Sequence, residues 1–403
     1  MPHTSTRTIQ FQPMKRSKGL QHRTFQGSRF KILNLNFESM APTTYTRDCP
    51  KRIDNFLDDM FDGSSTHQRN RERLMSPLAC YPILSATESN VSRNKASSAF
   101  ASCYWKETQI FRILTFVLAC LCVLCKENIQ SYINILWDYL RLQPFFYSAY
   151  FESVYVTVVY GLLVVLYPHT MHFISSLSKF KLEEGVMFVP LTWRRLTKEF
   201  IEYLGPVFFA DAIIQKKYPG VPVEEWASRS KQWIQTTRAL PVDPPNFLTL
   251  CVHVAGSMLV FDALFFLLHL TLHKNAFLYR HVHSLHHKHG AMHAHVTNQL
   301  TVVERGAIIV AANYSLKLFG AHPLTRLVFV VVFLWMLIDN HTGYDLPWSP
   351  HRLAPAGLMG GPAAHHAHHK HGAGHYQPFF TYLDIGFEMW RRQRPSRDSL
   401  KKN

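Results

Sequence analysis

The spacing of its histidines constrains this chain more than any other feature of the sequence. Eighteen of the 24 histidines fall between His269 and His375, about a quarter of the 403 residues. Three spaced groups stand out, namely His269/His273, His283/His286/His287 and His365/His368/His369. On a helix, residues three and four positions apart lie on one face, so each group directs two or three imidazoles at a common point. Such a chain must bring three helical segments together at one place.

Eight imidazole nitrogens at one place predict a site for two metal ions. A tetrahedral zinc ion takes four ligands, so eight donors are too many for one such ion. Imidazole suits iron, copper and nickel as well as zinc. His341 directly follows an apolar run, so it can lie at the same depth as His273, and we expect it to be a ninth ligand.

Acidic residues near these groups are candidates for orienting the ligands. Asp262 lies two helical turns before His269 on the same face. An acid inside an apolar span is costly and is a functional candidate by default. We expect Asp262 to hold a histidine ring, as acidic partners of metal ligands do; a helix-packing hydrogen bond is the alternative. The four acidic candidates are Asp262, Glu304, Asp339 and Asp345.

The histidine-rich tract at 365–375 has a second interpretation. Tracts of this kind gather metal ions in the loops of zinc transporters. A transporter also needs acidic or histidine side chains along a path through its spans, and this chain has too few of them. Transport is therefore disfavoured, and a non-catalytic metal-binding membrane protein remains the alternative to an enzyme.

The mean hydropathy of −0.06 averages a polar first quarter with a markedly apolar remainder. The run Ile110–Cys125 is shorter than the roughly 20 residues a spanning helix needs, so the sequence leaves three alternatives: it spans a membrane, lies at the membrane surface or packs against the core. Phe145–Tyr167 and Phe247–His273 are predicted spans, and Glu183–Lys217 is predicted to be an interfacial helix leading into a partly inserted one. Two short runs, Glu304–Gly320 and Leu324–Ile338, predict a re-entrant or tilted hairpin.

These runs predict an all-α integral membrane bundle of about four spanning or re-entrant helices, with a cytosol-facing histidine cluster. We expect five regions along the chain: a disordered, basic and polar N-terminal region, 1–105; a short hydrophobic or interfacial helix with its linker, 106–143; membrane helices and a connection, 144–245; the histidine-bearing catalytic region, 246–395; and a basic tail, 396–403.

The net charge of +16 is concentrated at the two ends of the chain. No motif that stacks on bases or reads a groove accompanies these basic ends, so nucleic-acid binding is not expected. Basic residues beside apolar spans mark the cytosolic side of a membrane, and Lys274, Arg280 and Lys288 put the histidine groups on that side. The acid-free first 37 residues fit an organelle transit peptide, a cytosolic tail or an upstream start codon equally well.

From about Phe247 to Asp384 the chain resembles the fatty acid hydroxylase / sterol desaturase superfamily of membrane di-iron enzymes. The three histidine groups match the family's histidine boxes, and Asp262 matches the acid that precedes the first of them. Within the superfamily, His322-Pro-Leu-Thr325 and Asn340–Leu353 are most similar to the cholesterol 25-hydroxylase-like branch. Thr301 stands where many members have a histidine ligand, and that branch also lacks it.

The resemblance implies two non-haem iron ions, dioxygen as co-substrate, and electrons from NAD(P)H through cytochrome b5 or its reductase. It implies a multi-pass protein of the endoplasmic reticulum; a plastid or mitochondrial membrane is the alternative if the N-terminus is a transit peptide. The expected activity is a monooxygenase that hydroxylates a sterol or related lipid, with a desaturase or methyl oxidase as the alternative. The expected metal ligands are His269, His273, His283, His286, His287, His341, His365, His368 and His369.

Overall fold

The computed structural model describes residues 105–183, 186 and 192–393. These residues are helical, and the only strand-like pairings among them are three isolated bridges. The predicted N-terminal region, except for its last residue, and the predicted tail 396–403 lie outside the described residues. The principal helices are α1 (Trp105–Leu124), α2 (Lys126–Leu140), α3 (Phe151–Phe173), α4 (Trp193–Ile213), α5 (Val223–Arg229), α6 (Phe247–Lys274), α7 (Val302–Leu318), α8 (Pro323–His341), α9 (Gly361–His371) and α10 (Tyr382–Gln393).

Four of the described helices are long and apolar enough to cross a membrane: α1, α3, α6 and α8. This confirms the prediction of a helical bundle with about four spans. In α1 only 6% of the most apolar window is buried inside the protein, so nearly all of its apolar surface is free to contact lipid. In α8 the share is 61%, which makes α8 the central helix of the bundle.

Several predicted boundaries differ from the structure; the span predicted to begin at Phe145 begins at Phe151, and two helix ends also differ. The span predicted to end at Pro168 continues to Phe173, because one proline removes a single backbone hydrogen bond and the buried Met171 packs the last turn against Phe180 and Tyr344. The run predicted to end at Ile338 continues through the polar residues 339–341 as one helix. With those residues α8 is long enough to span alone.

The helices that carry histidines all end at the same side of the bundle. Near the start of α3 and α8, Glu152 contacts Arg326, and near their ends the Tyr167 hydroxyl donates to Asp339 at 2.6 Å. Because the two helices contact each other start to start and end to end, they run parallel. We call the side where α3, α6 and α8 end the histidine end of the bundle, and the other side the opposite end.

A cluster of aromatic side chains holds α6 against α8. Phe261 on α6 packs edge-on against Phe333, with ring centroids 4.6 Å apart, and Phe379 packs beside both. Phe329 and Ile338 complete the buried centre of this cluster. Because α6 and α8 are rigid and packed along their length, the residues at their ends are fixed relative to one another.

At the opposite end, a single buried carboxylate joins three parts of the chain. Glu152 on α3 accepts hydrogen bonds from Arg326 on α8, from Lys216, from the Tyr218 hydroxyl and from Arg238. Its side chain is only 7% exposed. A buried charge is tolerated when it is paired and its lone pairs are satisfied, so Glu152 ties α3, α8 and the 214–246 connection together.

We predict that Glu152→Ala destabilises the protein strongly, because it leaves three buried cations without their common partner. The free energy of unfolding should fall by about 3 kcal/mol or more, measured by tryptophan fluorescence during unfolding in mixed detergent micelles. The matched control is Glu225→Ala, which removes a half-exposed partner of Arg229 and should cost less than about 1 kcal/mol. Equal losses in the two variants would contradict the role given to Glu152.

Candidate metal centre

Four segments bring the predicted ligands to the histidine end. His269 and His273 lie on the last turns of α6, and His341 is the last residue of α8. A π-helical turn, Tyr279–His283, carries His283 into the segment that follows. The segment continues through His286 and His287, and α9 supplies His365, His368 and His369. Extra-wide turns of this kind occur often at functional sites.

The structure brings all nine predicted histidines together, but in two groups that cut across the sequence groups. Within each group, one nitrogen per residue lies within 4.8 Å of every other. We call them the first cluster and the second cluster. The first cluster is His269, His273, His283, His287 and His368; the second is His286, His341, His365 and His369.

The prediction that each sequence group serves one common point is therefore wrong for two of the three groups. His365 and His369 are four apart and share a cluster, whereas His368 belongs to the other one. Successive residues of an α-helix are rotated by about 100°. His369 consequently lies about 40° from His365 around α9, while His368 lies about 60° away on the other side.

Backbone carbonyls fix the orientation of three rings. The Nδ1 atom of His269 lies 2.8 Å from the carbonyl oxygen of Tyr376, that of His368 lies 2.7 Å from Gly374, and that of His341 lies 2.7 Å from Leu337. A carbonyl can only accept, so each Nδ1 carries the proton and donates it. Each Nε2 then keeps its lone pair and points into a cluster.

The close contacts between facing nitrogens outnumber the hydrogen bonds that these rings can make, because each neutral imidazole has only one N–H proton. In the first cluster the Nε2 atom of His283 lies 3.1 Å from that of His269 and 3.0 Å from those of His273 and His287. In the second cluster the Nε2 atom of His365 lies 2.9 Å from that of His341 and 3.0 Å from that of His369. Lone pairs facing one another repel unless a cation lies between them, so both clusters fit a metal ion.

Burial keeps the predicted ligands outside the spans neutral. It lowers the pKa of His283 to about 2 and that of His287 to about 4, and neighbouring imidazoles contribute to the lowering at His283. Neutral imidazole is the form that binds metals. Among the described residues, the buried Nε2 of His368 has no hydrogen-bond partner, which leaves it available as a ligand.

Of the four predicted acidic partners, one contacts a ligand. Glu304, at the start of α7, lies 2.7 Å from Nδ1 of His283 and is 1% exposed. Thr301, where many family members have a histidine, caps α7 through the Glu304 amide, and its hydroxyl donates to the Val282 carbonyl. Thr301 thus fixes Glu304 beside the ring it holds.

The expectation that Asp262 holds a histidine ring was wrong. Its carboxylate accepts instead from the Phe379 amide at 2.8 Å, from the Phe380 amide and from the Gln377 side chain. The reason is that Asp262 lies deeper along α6 than His269, at the level where the 376–380 segment crosses. Asp262 therefore acts one step away, by fixing the segment whose Tyr376 carbonyl orients His269.

The other two acids also lie away from the predicted ligands. Asp339 accepts from the Tyr167 hydroxyl at 2.6 Å, which places it between α3 and α8. Asp345 accepts from His351 at 2.9 Å and from Arg352, so it holds the loop after α8. Both contacts stabilise the backbone around the site and leave the ligand rings untouched.

Sequence reasoning missed two contributors to the site. His289 lies with its Nε2 atom 2.9 Å from Nδ1 of His369, and the crowding of histidines around it was the available signal. The Gly374 carbonyl was the second. Its signal is the Gly-Ala-Gly turn after α9, in which Gly372 and Gly374 have φ of +64° and +72°, a conformation that favours glycine.

One cavity opens beside the second cluster. Its unfilled volume is about 1240 Å³, including open solvent at its mouth. His286, His341 and His365 line it, while no histidine of the first cluster does. Away from the histidines most of its wall is apolar, with Phe265 of α6, Phe333 of α8 and other side chains of α3, α4, α7 and α8. An apolar molecule in this cavity would lie directly against the second cluster.

The nine histidines lie in a region of the chain that is similar to known proteins. A family model described as fatty acid hydroxylase matches residues 254–389. Human cholesterol 25-hydroxylase is 32% identical over 267 residues, which are 65% of this chain and 91% of that protein. The rat cholesterol 25-hydroxylase is 38% identical over 152 residues, 38% of this chain and 51% of that protein. A zebrafish cholesterol 25-hydroxylase-like protein 2 is 28% identical over 271 residues, 63% of this chain and 88% of that protein. No solved structure matches this chain.

We predict that the purified protein, reconstituted with iron, holds about two metal ions per chain, one for each cluster. His273→Ala and His365→Ala remove a ligand from different clusters, and each should lower the metal content measured by mass spectrometry to about one in the presence of a competing chelator. The control is His281→Ala, whose exposed ring belongs to neither cluster. A loss in the control as large as in the other two would contradict the assignment.

Proposed function

Because this chain belongs to the fatty acid hydroxylase family, we propose that it is a membrane monooxygenase that inserts one oxygen atom into a C–H bond of a sterol or related lipid. The observation that carries the proposal is the apolar cavity that ends at His286, His341 and His365. The names of the human, rat and zebrafish relatives support a sterol as the substrate.

The nine histidines fit two iron ions, one in each cluster. Iron bound there supplies the activation of dioxygen, in which one oxygen atom enters the C–H bond and the other leaves as water after taking up two electrons and two protons. Nitrogen ligands also suit zinc and copper, but among these metals iron and copper have the redox chemistry that the reaction requires. The family supports iron.

The protein side chains keep the ligands in place and water away. The Nδ1 protons of His269, His341 and His368 stay on backbone carbonyls, so these rings cannot rotate or change tautomer without losing a bond. Supporting contacts of this kind tune the metal affinity of histidine ligands. A lipid in the cavity would place its hydrocarbon part on the apolar wall around Phe265 and Phe333 and displace water from beside the second cluster.

We predict that cells expressing this chain form a sterol product one oxygen atom heavier than its precursor, detected by gas chromatography with mass spectrometry. The double variant His286→Ala/His287→Ala removes one ligand from each cluster and should form none of it at equal protein level. His281→Ala should retain the product. A product two hydrogens lighter would assign the chain to the desaturase alternative, and no difference between wild type and double variant would favour a non-catalytic metal-binding role.

We also propose that the histidine end faces the cytosol, in the endoplasmic reticulum membrane, and receives electrons there from NAD(P)H through cytochrome b5 or its reductase. Lys274, Arg280 and Lys288 are exposed around that end, and basic residues beside spans favour the cytosolic side. A basic surface attracts an acidic electron carrier and raises its rate of association. This gives the exposed cations a function beyond membrane orientation.

We predict that the rate of turnover with cytochrome b5 falls about tenfold or more when ionic strength rises from low to high, because salt screens the attraction. Arg280→Glu at the histidine end should lower the rate at low salt, whereas Lys231→Glu at the opposite end should leave it unchanged. Turnover driven by a small uncharged reductant serves as the control and should respond little to salt. A rate with cytochrome b5 that ignores both salt and Arg280→Glu would contradict the proposed contact.

A further inference from the structure

The cavity reaches from the second cluster to the charged network at the opposite end. Its far wall contains Glu152, Asp211, Lys216, Asn313 and Arg326. The Arg326 side chain is 9% exposed and the Lys216 side chain 12%. Charged groups buried in a membrane protein are costly and mark functional sites by default, and holding α3, α8 and the 214–246 connection together does not require that these groups line a cavity.

The hydrogen-bond acceptors of this wall are already occupied. Both oxygens of Glu152 accept from cations, as the fold shows, and Asp211 accepts from the Ser153 hydroxyl at 2.6 Å and pairs with Lys216. The amide oxygen of Asn313 accepts from Nη2 of Arg326 at 2.6 Å. Each of these acceptors is therefore already engaged, and a ligand that donates a hydrogen bond would have to share it.

Several donors of the same wall remain free. Arg326 uses its Nε and Nη2 atoms towards Glu152 and Asn313, and its Nη1 atom makes no hydrogen bond to any described residue. Lys216 has three protons and binds two carboxylates, Glu152 and Asp211. The amide nitrogen of Asn313 donates once, to the Ile309 carbonyl, and has a second proton. The wall is thus built to donate to an oxygen.

The charges of this network favour the same kind of ligand. Three cations, Lys216, Arg238 and Arg326, surround two carboxylates, Glu152 and Asp211. One positive charge is left over at a buried position. An oxygen acceptor, with its partial or full negative charge, offsets that excess.

The distance between the two polar ends suits an elongated lipid. Arg326 and His341 are 15 residues apart on α8, which corresponds to about 22 Å along a straight helix. Between them the wall is formed by Phe329, Phe333 and Leu337, spaced four apart on one face of α8. One rigid helix thus carries a donor at one end of an apolar slot and a metal-ligand candidate at the other.

We propose that Arg326, with Lys216 and Asn313, binds an oxygen acceptor at one end of the lipid and thereby sets which carbon, at the other end, lies against His286, His341 and His365. The identity of the reaction rests on the proposed function, whereas the binding of the polar end does not. A sterol hydroxyl and a fatty-acid carboxylate share this chemistry. Arg326 is a positioning residue in this proposal, because it touches the substrate far from the reacting carbon.

The test is equilibrium binding to the purified full-length protein in lipid nanodiscs, without iron, dioxygen or electron donor. The probes are tritiated cholesterol, its analogue without the 3-hydroxyl, and stearate with methyl stearate as its uncharged partner. We expect either cholesterol or stearate to bind about tenfold or more tighter than its own partner compound. That ratio is the amount a hydrogen bond from a charged donor supplies. Preference for cholesterol identifies the hydroxyl, and preference for stearate identifies the carboxylate.

Arg326→Lys and Asn313→Leu should each remove most of that ratio while the deoxy or methyl-ester partner binds as before. Arg238→Lys is the matched control, because Arg238 contacts the same Glu152 at 2.8 Å but does not line the cavity. It should keep the ratio. Unfolding midpoints are measured for all three variants, and a variant that does not fold is set aside in favour of the other.

Equal binding of both members of each pair to the wild type would overturn the proposal, whatever the variants do. So would a ratio that survives in a folded Arg326→Lys or Asn313→Leu variant. In the active enzyme, Arg326→Lys should also spread the oxygen over more than one carbon, as seen by mass-spectral fragmentation. If the wild type shows the binding ratio but forms no oxidised product, the proposed function alone is overturned. If Arg326→Lys keeps the binding ratio and still oxidises a single carbon, this inference alone is overturned.

Discussion

The convergence of neutral imidazoles is the constraint on which the rest of this structure depends. Nitrogen lone pairs that approach to about 3 Å repel one another when no cation lies between them. The rings would therefore turn away from one another unless the surrounding chain fixed their positions. The holding groups are distant in sequence: Asp262 fixes the 376–380 segment, that segment's carbonyl orients His269, and Glu304 holds His283. The helices are packed so that their ends cannot move apart.

The sequence predicted eight of the nine histidines because their spacing repeats at helical intervals, which is a local property, and it predicted His341 because that residue directly follows an apolar run. It did not predict how they divide between clusters. That division depends on the angle of each residue around its helix and, for His283, on a π-helical turn that no spacing rule anticipates. His368 shows the effect, since its neighbour His369 lies about 100° away around α9 and serves the other cluster.

For the acidic residues, the sequence showed which of them were unusual but did not show which groups they contact. Asp262 was recognisable as costly from its place in an apolar span, but its partners lie 115 and more residues later in the chain. The backbone carbonyl of Tyr376 that orients His269 has no sequence signal of its own, because every residue has a carbonyl, and that of Gly374 is signalled only by its glycine turn. Glu152 had the same signal as Asp262, a lone acid in a span, and it proved to be the centre of an ionic network.

The two clusters are unequal, and the inequality bears on where chemistry can occur. The first has five nitrogen donors and is supported by Glu304, which itself lines the cavity, but none of the histidines of the first cluster does. The second has four donors, and three of its histidines face the cavity. A metal ion held by the second cluster would have fewer protein ligands and would lie beside the apolar slot, whereas an ion held by the first cluster would have more protein donors around it. The helix α8 carries Arg326 near its start and ends in His341. A molecule that binds at Arg326 and extends along the cavity would therefore lie against the histidines of the second cluster.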